Sequence, residues 1–146
     1  MAAPVITIYT DGSSLGNPGA GGYGVVLISG PHRKELSAGF RLTTNNRMEL
    51  MAAISGLEAL REPCSVILTS DSKYLCDAYN EGWIYGWRDK GWRKGKDVLK
   101  NPDLWERLYL LTERHKVSFV WVKGHNGHPY NERCDRLATA FADSFL

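Results

Sequence analysis

The sequence is poor in cysteine and in long apolar runs. Its three cysteines, Cys64, Cys76 and Cys134, match neither a disulfide framework nor the spacing of a zinc site. No apolar run approaches the roughly 20 residues that cross a bilayer, and the first residues lack the basic and apolar stretches of a signal peptide. These absences argue against a disulfide-stapled secreted domain and predict a reduced, cytoplasmic protein that does not enter membranes.

The chain also lacks internal repeats, low-complexity tracts and a Pro/Ser-rich linker. Its 146 residues fit one hydrophobic core and leave little room for a second. With 43% hydrophobic and 23% charged residues, the composition is that of a globular protein and argues against a disordered or fibrous chain. We expect a single domain over residues 1–146 and a monomer.

The net charge of +2 says little about partners, but the charge is unevenly distributed. Six cations face only two acids in one short segment, and they are Arg88, Lys90, Arg93, Lys94, Lys96 and Lys100. That segment carries +4 and the rest of the chain −2. The distribution favours a local contact with a polyanion, although a solvated charged loop has the same composition.

Hydrophobic periodicity divides the chain into strands and helices. Segments rich in β-branched and aromatic residues predict strands at 5–10, 23–29, 35–43, 65–70 and 117–122. Helical spacing predicts helices at 46–62 and 72–80. A third helix should begin at Asn101-Pro102, with Asn101 as the N-cap and Pro102 as the first helical residue, and a fourth should begin at Pro129. In the segment 81–100 the hydrophobic residues follow neither the helical nor the strand spacing.

This order predicts an α/β fold with a mixed five-stranded sheet flanked by helices. The first three strands are joined by short links and should be antiparallel, whereas the later strands follow crossover helices and should be parallel. Ligands of open α/β sheets bind beyond the carboxyl ends of the strands. Several acids of this sequence fall at those ends.

Two of the acids directly follow strongly apolar strands. Asp11 precedes a glycine and a serine, so it could be a turn residue, and Asp71 could be the N-cap of the next helix. If the two strands are adjacent and parallel, however, both carboxylates emerge at the same edge of the sheet.

Two further acids lie on predicted helices. Glu49 follows Asn46 by three residues, as in a capping box, but a first-turn glutamate there can also point over the sheet toward Asp11. Asp135, in the second turn of the last helix, could compensate the helix dipole or join the same group of acids.

Carboxylates gathered closely repel one another unless a cation screens them. Oxygen ligands without a Cys/His cluster favour Mg²⁺ over zinc. Metal-assisted phosphoryl transfer is the chemistry that such a site can perform. His125 and His128 lie in a glycine-rich loop; they are either simply exposed or, for His125, placed to carry a proton.

Five motifs resemble the signature of bacterial-type (type I) ribonuclease H, in order and over essentially the whole chain. They are Tyr9-Thr10-Asp11-Gly12-Ser13 with the following Gly16-Asn17-Pro18-Gly19, Thr43-Thr44-Asn45-Asn46-Arg47-Met48-Glu49-Leu50, Thr69-Ser70-Asp71-Ser72, Trp121-Val122-Lys123-Gly124-His125 and Asn131-Glu132-Arg133-Cys134-Asp135. The resemblance implies the ribonuclease H fold. It also implies an endonuclease that hydrolyses the RNA strand of RNA–DNA hybrids with two Mg²⁺ ions, Mn²⁺ being an alternative, and leaves 5′-phosphate and 3′-hydroxyl ends.

The resemblance further implies which residues act. The metal ligands would be Asp11, Glu49, Asp71 and Asp135, with His125 as an additional catalytic residue that assists proton movement. Positions that contact the RNA minor groove and its 2′-hydroxyls match Gly12, Ser13, Asn17, Asn45 and Asn46. Contacts with backbone phosphates or the DNA strand match Thr44, Trp83, Arg88, Lys90, Arg93, Lys94 and Lys96. Lys73 departs from the family, in which many members carry an uncharged amide at this position, so a phosphate contact is expected there in place of a minor-groove contact. Trp87 and Trp105 are expected to lie mostly in the core.

Two other functions share part of this pattern. A DNA nuclease of the same fold has scattered acids but lacks the Thr-Asn-Asn-Arg-Met-Glu-Leu block and the Lys-Gly-His loop. A non-catalytic hybrid-binding module could lose a carboxylate, whereas this sequence keeps all four.

Overall fold

The structure is a computed structural model that describes residues 5–124 and 128–143. In chain order its elements are β1 (Val5–Ser14), β2 (Gly19–Ser29), β3 (His32–Thr43), α1 (Asn45–Glu58), β4 (Ser65–Ser70), α2 (Lys73–Asn80), α3 (Trp83–Asp89), β5 (Arg93–Lys94), β6 (Asp97–Val98), α4 (Pro102–Arg114), β7 (Lys116–Trp121) and α5 (Pro129–Asp143). Five strands form one sheet in the order β3-β2-β1-β4-β7, and β5 pairs with β6 as a separate hairpin. The predicted mixed five-stranded sheet with flanking helices is therefore confirmed.

The directions of the strands bring two chain segments to one edge of the sheet. β1, β2 and β3 form an antiparallel meander, whereas β1 pairs with β4, and β4 with β7, in parallel. The parallel register of β1 and β4 runs from Val5 opposite Ser65 to Thr10 opposite Ser70. The residues that follow Thr10 and Ser70 therefore leave this ladder side by side.

Helices cover both faces of the sheet. Consecutive residues of a strand point to opposite faces, and Gly24 lies against α5 while Val25 lies beside Gly56 of α1. A Cβ atom at Gly24 would lie 2.3 Å from the backbone oxygen of Cys134, so a side chain there would push α5 away. Fully buried aliphatic side chains between the sheet and α1 include Ile8, Ile54, Leu57 and Leu68. Burial of each contributes about 1.5–3 kcal/mol to folding.

Several predicted boundaries are wrong, since β2 begins at Gly19 instead of residue 23 and β3 begins at His32 instead of residue 35. β1 does not end at residue 10 but continues to Ser14, because its antiparallel pairing with β2 extends as far as Gly21. α1 ends at Glu58 instead of Glu62. A residue that precedes proline is disfavoured in helical conformation, so Pro63 opposes extension of the helix to residue 62.

The segment 81–100 contains structure that the periodicity did not reveal. α3 has only seven residues and follows Gly82, whose φ of 75° is left-handed. The strands of the hairpin have two residues each, and Gly95, with φ of 62°, lies in the turn between them. Elements this short have too few residues to show a hydrophobic period.

The start of α4 matches the prediction in position. Asn101 is the N-cap and Pro102 the first helical residue, but no side-chain hydrogen bond caps the helix. The Asn101 side chain instead accepts a hydrogen bond from Arg47. Within the described ranges, none of the helices combines the length and the apolar character needed to span a bilayer.

Candidate active site

Asp11 and Asp71 lie next to each other beyond the last parallel pair of β1 and β4. Asp11 remains inside β1, opposite Gly24 of β2, so it is not a turn residue. Asp71 does not cap α2, because Ser72 is the N-cap and its hydroxyl accepts a hydrogen bond from the backbone N–H of Leu75. The structural alternatives for both acids are therefore wrong.

Glu49 reaches these two acids because α1 packs directly on Gly12. A Cβ atom at Gly12 would lie 2.3 Å from the backbone carbon of Met48 and 2.5 Å from the nitrogen of Glu49. The capping-box alternative for Glu49 is wrong, since Thr44 is the N-cap and accepts from the N–H of Arg47. The expectation of a first-turn glutamate is also wrong, because the first turn of α1 contains no acid.

The side chains of Asp11, Glu49 and Asp71 form one compact group. Each offers a carboxylate oxygen, and these three oxygens lie within 4.8 Å of one another. Asp11 is 8% exposed and Glu49 only 5%. Glu49 Oε2 is buried and has no hydrogen-bond partner in the part of the chain that the structure describes. An oxygen-only donor set with an unpartnered buried oxygen fits a hard divalent cation.

The electrostatics of the group also favour a cation. Burial, followed by the charges of Asp71 and Asp135, raises the pKa of Asp11 to about 8. Burial, followed by the charges of Asp11 and Asp71, raises the pKa of Glu49 well above its usual value. The backbone N–H of Gly12 partly offsets this, since it donates to Asp11 Oδ1 at 2.9 Å. Without a cation, the group therefore resists full ionisation at neutral pH.

Asp135 lies beside this group on α5. It lines a cavity of about 30 Å³ together with Thr10, Asp11, Asp71, Gly124, His128, Asn131 and Glu132. Its carboxylate also lies close enough to Asp11 to contribute to the raised pKa there. The first-turn acid of α5 is Glu132, so Glu132 is better placed than Asp135 to compensate the helix dipole. We call Asp11, Glu49, Asp71 and Asp135 the acid pocket.

The loop that follows β7 is described only in part. His125 lies outside the described residues. His128 lines the small cavity of the acid pocket, and its ring centroid lies 5.2 Å from that of Tyr9 and 6.0 Å from that of Tyr130. His128 is therefore partly buried against aromatic rings and is not a simply exposed loop residue.

The residues expected to contact the RNA strand lie on the elements that carry Asp11 and Glu49, since Gly12 and Ser13 follow Asp11 in β1 and Asn45 and Asn46 begin α1. Asn17 and Asn45 are exposed and adjacent, because the Asn17 side-chain oxygen accepts a hydrogen bond from the N–H of Asn45 at 3.1 Å. Asn46 is exposed on the first turn of α1, and Ser13 is partly buried. Gly12 itself is buried against α1, so the reason for a glycine there is the packing of α1.

The residues expected to contact phosphates differ in how far they are already engaged. Thr44 uses its hydroxyl to cap α1. Lys73 is exposed and pairs with Asp77 on the same helix at 2.6 Å. Arg88 pairs with Asp89 and donates to the Tyr109 hydroxyl at 2.7 Å. Such exposed pairs contribute little energy, so they can exchange for a phosphate.

We call residues 83–100, which comprise α3 and the β5–β6 hairpin, the basic arm. Trp83 is 41% exposed, whereas Trp87 and Trp105 are 7% and 1% exposed, as expected for core anchors. Tyr74 lies at the centre of these rings, with centroid separations of 6.2, 6.0 and 5.9 Å to the three tryptophans. The exposed cations of the arm are Arg88, Lys90, Arg93, Lys94, Lys96 and Lys100.

A cavity of about 450 Å³ is lined both by residues of the basic arm and by Glu49 of the acid pocket. Asn46 and Glu49 of α1 line it together with Lys94 and Lys100 of the basic arm. The ammonium group of Lys94 lies 5.8 Å from the centre of the Tyr74 ring. The cavity therefore presents acids, amides and cations along one continuous surface.

The sequence argument assigned no role to Arg47. This residue donates to both carboxylate oxygens of Asp103, at 3.2 and 2.9 Å, and to the side chain of Asn101 at 3.1 Å. It thereby ties the first turn of α1 to the start of α4. Only its place inside the Thr-Asn-Asn-Arg-Met-Glu-Leu block could have pointed to it, because the partner residues lie more than fifty positions away.

Comparisons with known proteins agree on one family. The family model described as RNase H matches residues 3–143. A ribonuclease H of Syntrophus aciditrophicus is 61% identical over 134 residues, which cover 91% of this chain and 78% of that protein.

Solved structures give the same result. LC9-RNase H1, described as a type 1 RNase H with the type 2 active-site motif, superposes with a TM-score of 0.88 at 30% identity, covering 100% of this chain and 75% of that chain. LC11-RNase H1, solved in complex with an RNA/DNA hybrid, has a TM-score of 0.70 at 29% identity and covers 95% of this chain and 97% of that chain. The chain belongs to the RNase H family.

Proposed function

We propose that this protein is a metal-dependent endonuclease that hydrolyses the RNA strand of RNA–DNA hybrids. The observation that carries the proposal is the convergence of Asp11, Glu49 and Asp71 within 4.8 Å. Family membership supports it, as does the similarity to LC11-RNase H1 in complex with an RNA/DNA hybrid.

The carboxylates of the acid pocket would hold Mg²⁺, with Mn²⁺ as an alternative. Asp11, Glu49 and Asp71 offer converging oxygens, and Asp135 adds a fourth carboxylate from α5. Bound ions of this kind activate water and neutralise charge on the scissile phosphate and the leaving oxygen. Two ions in the presence of substrate would match the four acids.

The protein's own contribution to the reaction is placement. β1, β4 and α1 fix the acids before substrate arrives, so little reorganisation is needed when charge develops on the phosphate. Water attacks phosphorus and the 3′ oxygen leaves, which gives 5′-phosphate and 3′-hydroxyl ends. His125 is proposed to carry a proton during this exchange and during product release.

Recognition of the hybrid would depend on shape and backbone contacts. Asn46 shares a cavity with Glu49, and Asn45 beside it is hydrogen-bonded to the exposed Asn17. Short amides of this kind can contact the 2′-hydroxyls that distinguish RNA from DNA. Across the cavity, the exposed cations and Trp83 of the basic arm would hold the DNA strand by phosphate neutralisation and packing against sugars. Thr44 and Lys73 would add phosphate contacts at the rim.

We further infer that residues 1–146 form a single ribonuclease H catalytic domain. The family model extends over residues 3–143, and one hydrophobic cluster includes side chains from β1 through β7. That the protein acts as a cytoplasmic monomer stays a prediction from the sequence.

The test is cleavage of end-labelled substrates with and without Mg²⁺. We expect cutting of the RNA strand in an RNA–DNA hybrid, internal products with 5′-phosphates, and no cutting when the metal is chelated. Duplex DNA and duplex RNA of the same sequence serve as controls. Equal cleavage of duplex DNA would identify a DNA nuclease of this fold, and hybrid binding without cleavage would identify a non-catalytic module.

A further inference from the structure

The end of β7 contacts Asp71 at two points. Trp121, the last residue of β7, donates a hydrogen bond from its indole Nε1 to the backbone oxygen of Asp71 at 3.1 Å. Three residues later, Gly124 lies so close to Asp71 that an added Cβ atom would be 2.9 Å from Asp71 Oδ2. The hydrogen bond restrains the main chain of Asp71, and the backbone of Gly124 limits the space open to its carboxylate.

We propose that Trp121 is a positioning residue for the metal site: its indole N–H, with the close approach of Gly124, holds Asp71 in the orientation that binds a divalent cation. This inference rests on the proposed function, because it takes Asp71 as a metal ligand. It adds a residue, Trp121, that does not touch the metal but acts through Asp71.

The position of the bond along the sheet supports this role. β4 and β7 pair in parallel as far as Ser70 opposite Trp121, and the backbone N–H of Val122 donates to the oxygen of Ser70 at 3.0 Å. The next carbonyl along the chain is that of Asp71, and the indole N–H donates to it. The side chain of Trp121 thus extends the hydrogen-bond ladder by one residue, to the residue that carries the carboxylate.

The exposure of Trp121 argues against a role as a core filler. Trp121 is 45% exposed, whereas Trp87 and Trp105, which anchor the basic arm, are 7% and 1% exposed. A ring that remains this exposed gains much less from burial. Tryptophan has a single polar donor, and that donor is directed at Asp71.

The chain offers a matched control for the hydrogen bond. Asn80 of α2 donates from Nδ2 to the backbone oxygen of Phe119, also at 3.1 Å. Both bonds join a side-chain donor to a backbone carbonyl near the β4–β7 edge, but only the bond of Trp121 reaches a residue of the acid pocket. Trp121→Phe keeps an aromatic ring and removes the N–H, and Asn80→Ala removes the control bond.

The experiment is a Mg²⁺ titration of the protein without substrate, in which the backbone amide signal of Gly12 in ¹H–¹⁵N NMR spectra reports the affinity. The thermal unfolding temperature is measured for the same proteins. Loss of one hydrogen bond is worth about 1 kcal/mol, so Trp121→Phe should bind Mg²⁺ roughly fivefold more weakly. Asn80→Ala should lower the unfolding temperature and keep Mg²⁺ affinity within about twofold of the wild type. A folded Trp121→Phe protein with wild-type Mg²⁺ affinity would overturn the proposal.

If Trp121→Phe does not fold, Gly124→Ala tests the other half of the proposal, the close approach of Gly124 to the Asp71 carboxylate. An added Cβ there must displace the Asp71 carboxylate, so weaker Mg²⁺ binding supports the proposal and unchanged binding overturns it. Hybrid cleavage by the wild type is measured in parallel. If the wild type cuts hybrids but both variants bind Mg²⁺ normally, the positioning role of Trp121 is refuted and the proposed function stands. If the wild type does not cut hybrids, the proposed function itself is refuted.

Discussion

The acid pocket and the basic arm serve the same proposed substrate but are built in opposite ways. In the acid pocket, Asp11 and Glu49 are almost fully buried and project from elements that share the main core. In the basic arm, Lys90, Lys94 and Lys96 are exposed to solvent. Burial of like charges costs free energy until a cation binds, whereas exposed cations cost little to maintain.

This difference predicts how each region responds to substitution. Ligands of one metal site act as a unit, so loss of one carboxylate should remove most of the activity. Exposed cations that contact separate phosphates act nearly independently, so their losses should add. Substitutions in the acid pocket should therefore affect turnover most, and substitutions in the basic arm should affect mainly binding and its salt dependence.

The largest effect is expected for Asp71→Asn. The change keeps the shape of the side chain but removes the charge that binds metal, so cleavage of a labelled hybrid should fall below detection while hybrid binding survives. Glu58→Gln is the control, because Glu58 is a surface acid of α1 that pairs with Arg107. Near-normal turnover by Asp71→Asn would show that Asp71 is not a ligand.

His125→Ala should have the next largest effect. Loss of a group that carries protons typically slows turnover by about 10²-fold. We expect kcat to fall by this order while KM changes little, as measured by steady-state hybrid cleavage. His32→Ala, an exposed histidine at the start of β3, should leave both constants unchanged. If the two variants behave alike, the proton-carrying role of His125 is refuted.

The sequence predicts the fold well where elements are long. Periodicity located the five main strands and four of the helices, because each has enough residues to show a period of 2 or 3.6. It did not locate α3 or the β5–β6 hairpin, which are too short. It also missed the extension of β1 through Gly12 to Ser14, since those residues resemble a turn locally and become strand only by pairing with β2.

The candidate site was predictable in part. Parallel pairing of two apolar strands suffices to place Asp11 and Asp71 at one edge. The approach of Glu49 depends on the packing of α1 on Gly12, and the bond from Trp121 depends on where β7 ends. These are tertiary contacts between distant segments. The residue pattern therefore offered Glu49 and Asp135 only beside structural alternatives, and the resemblance to a known family is what favoured them as members of the site.

Replacement of Lys94 and Lys96 by Ala should have a moderate effect confined to binding. Each phosphate contact contributes roughly 0.9 to the slope of log affinity against log salt. The double variant should therefore bind the hybrid more weakly and lower that slope by about 2, with kcat at saturating substrate unchanged. Lys34 and Lys116, exposed at the starts of β3 and β7, provide a control double variant with the same change in charge. An equal decrease in slope for both pairs would place the binding surface outside the basic arm.

The last prediction concerns stability and not activity, and it separates the free-energy cost of the buried charges from their role in catalysis. In the metal-free protein the pKa of Asp11 is raised from 3.8 to about 8. Between these values the folded state binds a proton that the unfolded chain releases, so the free energy of unfolding falls as the pH rises from about 4 to about 8. Asp11→Asn removes this titration. Without metal, its unfolding temperature should match that of the wild type near about pH 5 and exceed it near about pH 8. The difference in the free energy of unfolding is at most roughly 4 kcal/mol, at about 1.4 kcal/mol for each of the three pH units.

Added Mg²⁺ should reverse the order of the two proteins at the higher pH. The cation stabilises the wild type because it binds the folded state, but it should have little effect on Asp11→Asn, which has lost a ligand. Circular dichroism melts at the two pH values, with and without Mg²⁺, measure all of these differences. A metal-free Asp11→Asn protein that is no more stable than the wild type near about pH 8 would mean that the acid pocket carries little electrostatic strain. The acid pocket would then not cost more folding free energy than the basic arm, as the comparison above assumes, although the proposed activity would stand.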